Sequence, residues 1–213
     1  MRRTLFATAV AAAAVLAAAG AQAATTFTSV QGPDGIGQHI LFDFESGMPA
    51  GLSGNAGIHI GTVANAYAAP MGDATHFLVV PTTGSSGSGI LDLGGGYDNI
   101  SFYWGSIDTY NSVEFFTGVG GTGTSLGVIS GGSIPGATGN GAQGTVANNR
   151  RVFFDFGTDL AQSVRFTSTN IAFELDDIGT VAVPEPAVWG TMLFGFGLVG
   201  ATMRRRRLTS VTA

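Results

Sequence analysis

The amino-acid sequence predicts an all-β protein: an antiparallel, jelly-roll-like β-sandwich ectodomain, with a signal-peptide helix before it and a single transmembrane helix after it. Three observations carry this. Apolar residues between positions 24 and 183 recur at period two, as in Ile100, Phe102 and Trp104 against Ser101 and Tyr103, the spacing of one strand face. Turns rich in Gly, Ser, Thr and Asn divide these runs, and no convincing amphipathic helix interrupts them. Long apolar stretches stand near the two ends.

Arg2 and Arg3 precede an almost unbroken Ala/Val/Leu stretch over 5–19, followed by Ala21, Gln22 and Ala23. A basic start, a short apolar centre and an A-x-A triplet make a secretory signal peptide over 1–23, cleaved after Ala23. General secretion and signal peptidase are the expected partners, because the residues that usually surround a twin-arginine pair are mostly absent. The 213 residues leave room for one ordinary domain, over 24–183. No cysteine occurs, so neither a disulfide nor a thiolate contributes, and stability must come from packing.

Charge is uneven along the chain. There is no lysine, and between positions 24 and 183 only Arg150, Arg151 and Arg165 stand against thirteen Asp and Glu, a formal net charge of −10. Such a surface repels phosphate backbones and argues against nucleic-acid binding. It suits solubility outside the cell or divalent cations.

Along the ectodomain the pattern predicts strands over 39–44, 57–62, 76–80, 89–93, 100–104, 112–117, 126–130, 152–156, 164–166, 171–175 and 178–183. A β-barrel or solenoid is the alternative, and the absence of a fixed repeat counts against the solenoid. The stretch TTGSSGSG at 82–89 reads as a flexible connection, and the polar, weakly patterned 131–149 as a mobile surface loop.

Few residues point to chemistry. Gly118, Gly120 and Gly123 fit GxGxxG, but the following TSLGVIS is strand-like where a dinucleotide site needs a helix, so a hairpin turn is expected. His39, His59 and His76 lie in strand-like pieces without metal-ligand spacing. Asp43 and Glu45 near the first strand and Asp176 and Asp177 near the last are hard oxygen donors that would suit calcium if those strands run together, although carboxylates at strand ends are common without a ligand. The same carboxylates are also candidates for a glycosidase pair, although two carboxylates without a known separation establish nothing. Within 101–116, alternation assigns Phe102, Trp104, Val113 and Phe115 to the core and leaves Tyr103, Tyr110 and Phe116 outward. An aromatic platform there, with Asp108 and Asn111 beside it, would stack on and hydrogen-bond a sugar, with ordinary packing as the alternative.

The C-terminal stretch is the most informative. Positions 187–203 carry no charge and as a helix span about 25 Å, just enough for a thin hydrocarbon core. Trp189 lies at one end, and Arg204, Arg205, Arg206 and Arg207 form a stop-transfer cluster at the other, which keeps the C-terminus on the cytoplasmic side. Immediately before stand Pro184, Glu185 and Pro186, whose two prolines hold the chain extended and accessible. A tail of six residues, 208–213, follows the arginines.

Pro184, Glu185, Pro186, Trp189, the glycine-rich apolar helix and the arginine cluster, together spanning 184–207, resemble the PEP-CTERM sorting signal in its PEPxxW variant. The resemblance implies a Gram-negative bacterial protein that is exported, held transiently in the inner membrane as a precursor, and handed to an exosortase associated with exopolysaccharide production. Pro184, Glu185, Pro186 and Trp189 would be its recognition positions. From this follows the expectation of a cell-surface or extracellular-matrix protein, structural or adhesive in biofilm rather than catalytic, with no certain cofactor beyond the calcium option. A carbohydrate-binding module is the first alternative, and a glycan hydrolase the second.

Overall fold

The computed structural model describes residues 24–33, 37–181 and 195–196. The strands are β1 (Thr26–Gln31), β2 (Gln38–Phe42), β3 (Leu52–Gly54), β4 (Gly57–Ile60), β5 (His76–Val80), β6 (Gly87–Tyr97), β7 (Asn99–Gly105), β8 (Asn111–Phe116), β9 (Ser125–Ser130), β10 (Arg150–Asp155), β11 (Ala161–Ser168) and β12 (Phe173–Val181). All pair antiparallel, in a seven-stranded sheet ordered β1-β10-β7-β12-β5-β4, with β2 also on β12, and a five-stranded sheet ordered β3-β6-β11-β8-β9. The all-β, antiparallel expectation holds.

One core joins the two sheets. Ile100, Phe102 and Trp104 of β7 and Val152 and Phe154 of β10 face Val113 and Phe115 of β8 and Val164 and Phe166 of β11, all essentially without solvent contact. Rings meet across the gap, Phe115 with Phe154 at 4.9 Å between centroids, Phe102 with Phe166 at 5.7 Å and Phe166 with Phe173 at 5.4 Å. Such pairs add roughly 0.5–1.5 kcal/mol each beyond the area they bury.

Two predicted strands, over 171–175 and 178–183, are one strand with an irregularity in it. β12 pairs with β5 over its first three residues and with β2 from Ile178 onward, and its register against β7 slips between Asp176 and Gly179. Asp177 sits there in left-handed backbone, φ 52°. Strict alternation after Phe173 and Leu175 would drive Asp177 into the core. The extra residue turns it away and places Ile178 inside instead, avoiding the large cost of a buried, unpaired charge.

The outer face of the larger sheet is also covered. Residues 61–75 lie over it, with Tyr67 and Ala69 packed on Phe77, Val79 and Ala172. The segment 131–149 is not the loose loop that its composition predicts. Ile134 enters the core, and the carboxamide oxygen of Asn148 accepts from the Thr138 and Gly139 backbone N–H groups at 3.0 and 3.1 Å. The 82–89 connection is likewise tied down, because Asn55 Oδ1 accepts from the Thr82 and Thr83 backbone N–H groups, and β6 already begins at Gly87.

Candidate functional site: the acidic cleft beside the last strand

The slip in β12 creates the most unusual charge arrangement in the fold. Across the larger sheet, Arg151 of β10 lies opposite Tyr103 of β7, and Tyr103 opposite Asp176 of β12. All three side chains share the outer face, beneath residues 71–75. Beside them opens a cleft of about 300 Å³ lined by Pro33, Asp73, Thr75, Tyr103, Asp176 and Asp177 among others.

Asp176 is only 5% exposed. One of its oxygens accepts from the Asp177 N–H at 2.7 Å, and the other takes a long 3.4 Å contact from the Thr75 hydroxyl. Thr75 also donates both its N–H and hydroxyl to Asp73, at 2.8 and 2.5 Å, while the second Asp73 oxygen is buried without a partner. Burial, with the Asp177 and Asp73 carboxylates adding to it, pushes the Asp176 carboxyl up to about 8. A proton on Asp176 supplies the donor that the orphaned Asp73 oxygen lacks, which is how two carboxyl groups can lie side by side away from water.

The positive charge at this corner is a buried one. Arg151, 1% exposed, donates to the Asp177 carbonyl at 2.7 Å, to the Ser101 hydroxyl at 3.2 and 3.3 Å and to the Pro33 carbonyl at 3.3 Å. Burial lowers its pKa, and the Asp177 and Asp176 charges oppose that shift. Burial raises the Asp177 carboxyl, with Arg151 countering.

The first and last predicted strands do lie side by side, as β2 on β12, and this brings Asp43 and Glu45 into the same acidic corner as Asp176 and Asp177. The four do not converge on one point. Asp43 accepts from the Glu45 N–H at 3.2 Å; Glu45 accepts from the His76 N–H at 2.7 Å and faces the His76 ring at 3.2 Å in an exposed pair. Its pKa is lowered chiefly by that backbone N–H. Among the described residues no three His, Asp or Glu side chains stand close enough to hold one metal ion.

The exposed aromatic platform is corrected. Tyr103 is on the outer face, as alternation requires, but is 2% exposed with its hydroxyl donating to the Met71 carbonyl at 2.6 Å. Burial raises its pKa to about 12. Asn111 is fully buried and donates to the Ala172 carbonyl at 3.0 Å; Asp108 is also buried. Tyr110, half-buried, donates to the Ile171 carbonyl at 3.0 Å, and Phe116 lies beneath the Arg165 guanidinium at 4.6 Å. Tyr103 is covered by the Met71 segment, Tyr110 and Asn111 are tied to 171–172, and Phe116 is covered by Arg165, contacts remote in sequence that alternation within one strand cannot reveal. The Gly118 to Gly123 stretch is the expected hairpin turn, with the Thr117 N–H donating to the Thr124 carbonyl and the Gly118 N–H to the Thr122 carbonyl between β8 and β9.

Glu174 was not singled out by its sequence pattern. It is almost fully buried on the outer face, accepts from the Ala68 N–H at 3.0 Å and the Ser106 hydroxyl at 2.6 Å, and burial pushes its carboxyl up to about 8. A polar residue between inward-facing Phe173 and Leu175 was the available signal, and it marks a covered outer face only once the covering loop is known.

The remaining predicted positions, Ala21, Ala23, Pro184, Glu185, Pro186, Trp189, Arg204, Arg205, Arg206 and Arg207, lie outside the described residues. Among the described residues no helix is long and apolar enough to cross a membrane. No curated protein and no solved structure matches the chain. Residues 182–207 do match the family model of the PEP-CTERM protein-sorting motif. The match begins on the residue after β12 ends, so the chain carries a PEP-CTERM sorting motif directly behind its β body, and that motif implies export and processing by an exosortase.

Proposed function

We propose that this chain is a non-catalytic surface or matrix protein of a Gram-negative cell, with a structural or adhesive role linked to exopolysaccharide. The observation that carries the reading is the sorting motif at 182–207, set directly behind a folded β body. On this reading 1–23 is removed by signal peptidase after general secretion, 187–203 holds the precursor in the inner membrane, and an exosortase acting at the PEP segment releases the body to the cell surface or beyond. The strand order β5-β12-β7-β10 facing β6-β11-β8-β9 supports a jelly-roll sandwich for that body.

The buried acids support a structural rather than a catalytic role. Asp176 and Glu174 are almost wholly buried at the edge of residues 61–75 and accept hydrogen bonds from Thr75 and Ala68 of that segment, so they fasten it to the sheet. Deleting the gene should weaken matrix cohesion while leaving polymer length unchanged. Shortened polysaccharide in the presence of the purified body, lost on Asp176→Asn, would replace this reading with a hydrolase.

A carbohydrate-binding module draws support from a different place than Tyr103. A cleft of about 380 Å³ on the loop side is lined by Thr62, Asn65, Tyr67, Gln143 and Glu174, a mixture of ring, amide and hydroxyl that suits a sugar. Retention of the body on host exopolysaccharide, lost with Tyr67→Ala, would establish it; equal retention of both would exclude this cleft.

A further inference from the structure

The end of the sheets at which the chain leaves toward the sorting motif is built in an unusual way. The last backbone pair between β12 and β7 is Gly179 with Ser101. Beyond it, the Asn99 side chain takes over the ladder. Its amide oxygen accepts from the Val181 N–H at 2.7 Å and the Thr180 hydroxyl at 2.9 Å, and its amide nitrogen donates to the Val181 carbonyl at 3.1 Å. A carboxamide here does what a peptide group would do, satisfying both backbone groups of the final strand residue. The folded body is therefore fastened up to Val181, and the sorting motif begins at the next position.

The entry of the chain lies at the same end. Thr26 of β1 pairs with Asp155 of β10, and Asp155 with Asn99 of β7. Thr26, Asp155, Asn99 and Val181 thus form one row across four adjacent strands. Whatever precedes residue 24 and whatever follows 181 leaves from this row.

We propose that this row is the membrane-facing end of the precursor, with a lipid bilayer as its partner, and that Asn99 is the positioning residue that keeps it there. The proposal rests on the reading of 187–203 as a membrane-spanning helix. From Val181 to Pro184 the chain reaches at most about 10 Å, and to the apolar run at 187 about 20 Å, even fully extended. Strand β10, which runs toward the row and ends on it at Asp155, places its Arg150 end a further ~17 Å out. A body on so short a lead has one end against the lipid. Asp98, Asp155 and Asp159 are the carboxylates near this end, and none of them forms an ion pair among the described residues; His39, opposite Thr180, is the one histidine near them. They bring no attraction to anionic head groups, so the short connection alone sets the approach and the body is free to depart once it is cut.

The absence of native cysteine makes the test direct. Full-length precursor carrying Thr158→Cys near the row, or Val146→Cys at the opposite end, is labelled with a donor dye and reconstituted in phosphatidylethanolamine/phosphatidylglycerol vesicles with acceptor-labelled head groups. Energy transfer should be roughly twofold or more greater from position 158 than from 146, given the ~17 Å that β10 alone puts between the two ends. Equal transfer, or stronger transfer from 146, overturns the proposal. Four Gly/Ser residues inserted after Ala182 leave the folded body untouched and should narrow the difference; an unchanged difference also counts against it. Asn99→Ala should release Val181, raising its amide exchange and lowering transfer from 158, whereas lowered transfer with unchanged exchange would deny Asn99 its role. A precursor that does not partition into the vesicles at all refutes the membrane-helix reading itself, and so is distinguishable from failure of the orientation.

Discussion

The two faces of the larger sheet are both closed to water, by opposite means. The inner face is sealed by aromatic side chains from the second sheet, Phe102 and Phe173 against Phe166 and Phe154 against Phe115. The outer face is covered chiefly by residues 61–75, which pack Tyr67 and Ala69 on Phe77, Val79 and Ala172 and are held down by single polar side chains: Glu174, Asp176, Tyr103 and Asn149. Apolar contact is non-directional and tolerates small errors, whereas each polar tie works only if its partner is present. The inner face should therefore decide whether the protein folds, and the outer face whether its loops stay in place.

The contrast can be broken most severely from inside. Phe102→Ala, at a side chain without solvent contact that touches rings of both sheets, should cost about 3–5 kcal/mol in urea unfolding. A loss under 1 kcal/mol would mean that the shared core is not what holds the sheets together.

Asn149→Ala tests the outer face. It removes the acceptor for the Met71 and Ser106 N–H groups and the donor to the Gln143 and Thr145 carbonyls, and each buried group left unpaired costs about 1–3 kcal/mol. Hydrogen exchange should rise over 68–73 and 139–149 while the β7 and β10 amides remain protected. Uniform loosening would erase the distinction between the faces.

Acidity sharpens it further. Glu174 and Asp176 have carboxyls raised to about 8 in the folded protein, so the folded state holds protons that the unfolded chain releases. The stabilisation is fully present below the ordinary carboxylate range and is lost as pH rises to about 8. Denaturation midpoints measured from pH 4.5 to 8.5 should fall accordingly, and Asp176→Asn or Glu174→Gln should flatten the slope without shifting that of a Phe102 variant. A midpoint that climbs across this range would reverse the assignment.

The smallest effect comes from Tyr103→Phe, which deletes one hydrogen bond to Met71 and leaves the ring in place. About 0.5–1.5 kcal/mol is expected, read as a modest drop in melting temperature with exchange confined to residues 70–75.

Much of the inner face is legible in the sequence, because Ile100, Phe102 and Trp104, or Val152 and Phe154, state their side by alternation alone. Pairing of β2 with β12 is legible only as a tendency of first and last strands, and it proves correct. What escapes is whatever depends on distant chain. β1 and the three-residue β3 lack the contrast or length to announce themselves. The burial of Tyr103 and Asn111 depends on loops remote in sequence, and the sealing of 131–149 on two asparagines whose bonds are invisible in composition. The sorting motif is the reverse case. It is a contiguous signal meant to be read along the chain, and the family match at 182–207 recovers it.

The displaced register at Asp177 carries a consequence for tolerance of length change. Deleting Asp177 would remove only the extra residue, so that Ile178 follows Asp176 in plain alternation and Gly179 stays opposite Ser101, whereas deleting a residue within 178–180 would pull Val181 out of register with Asn99. The last four residues of the body therefore keep their phase with or without that aspartate, and their own number sets the point from which the export signal departs.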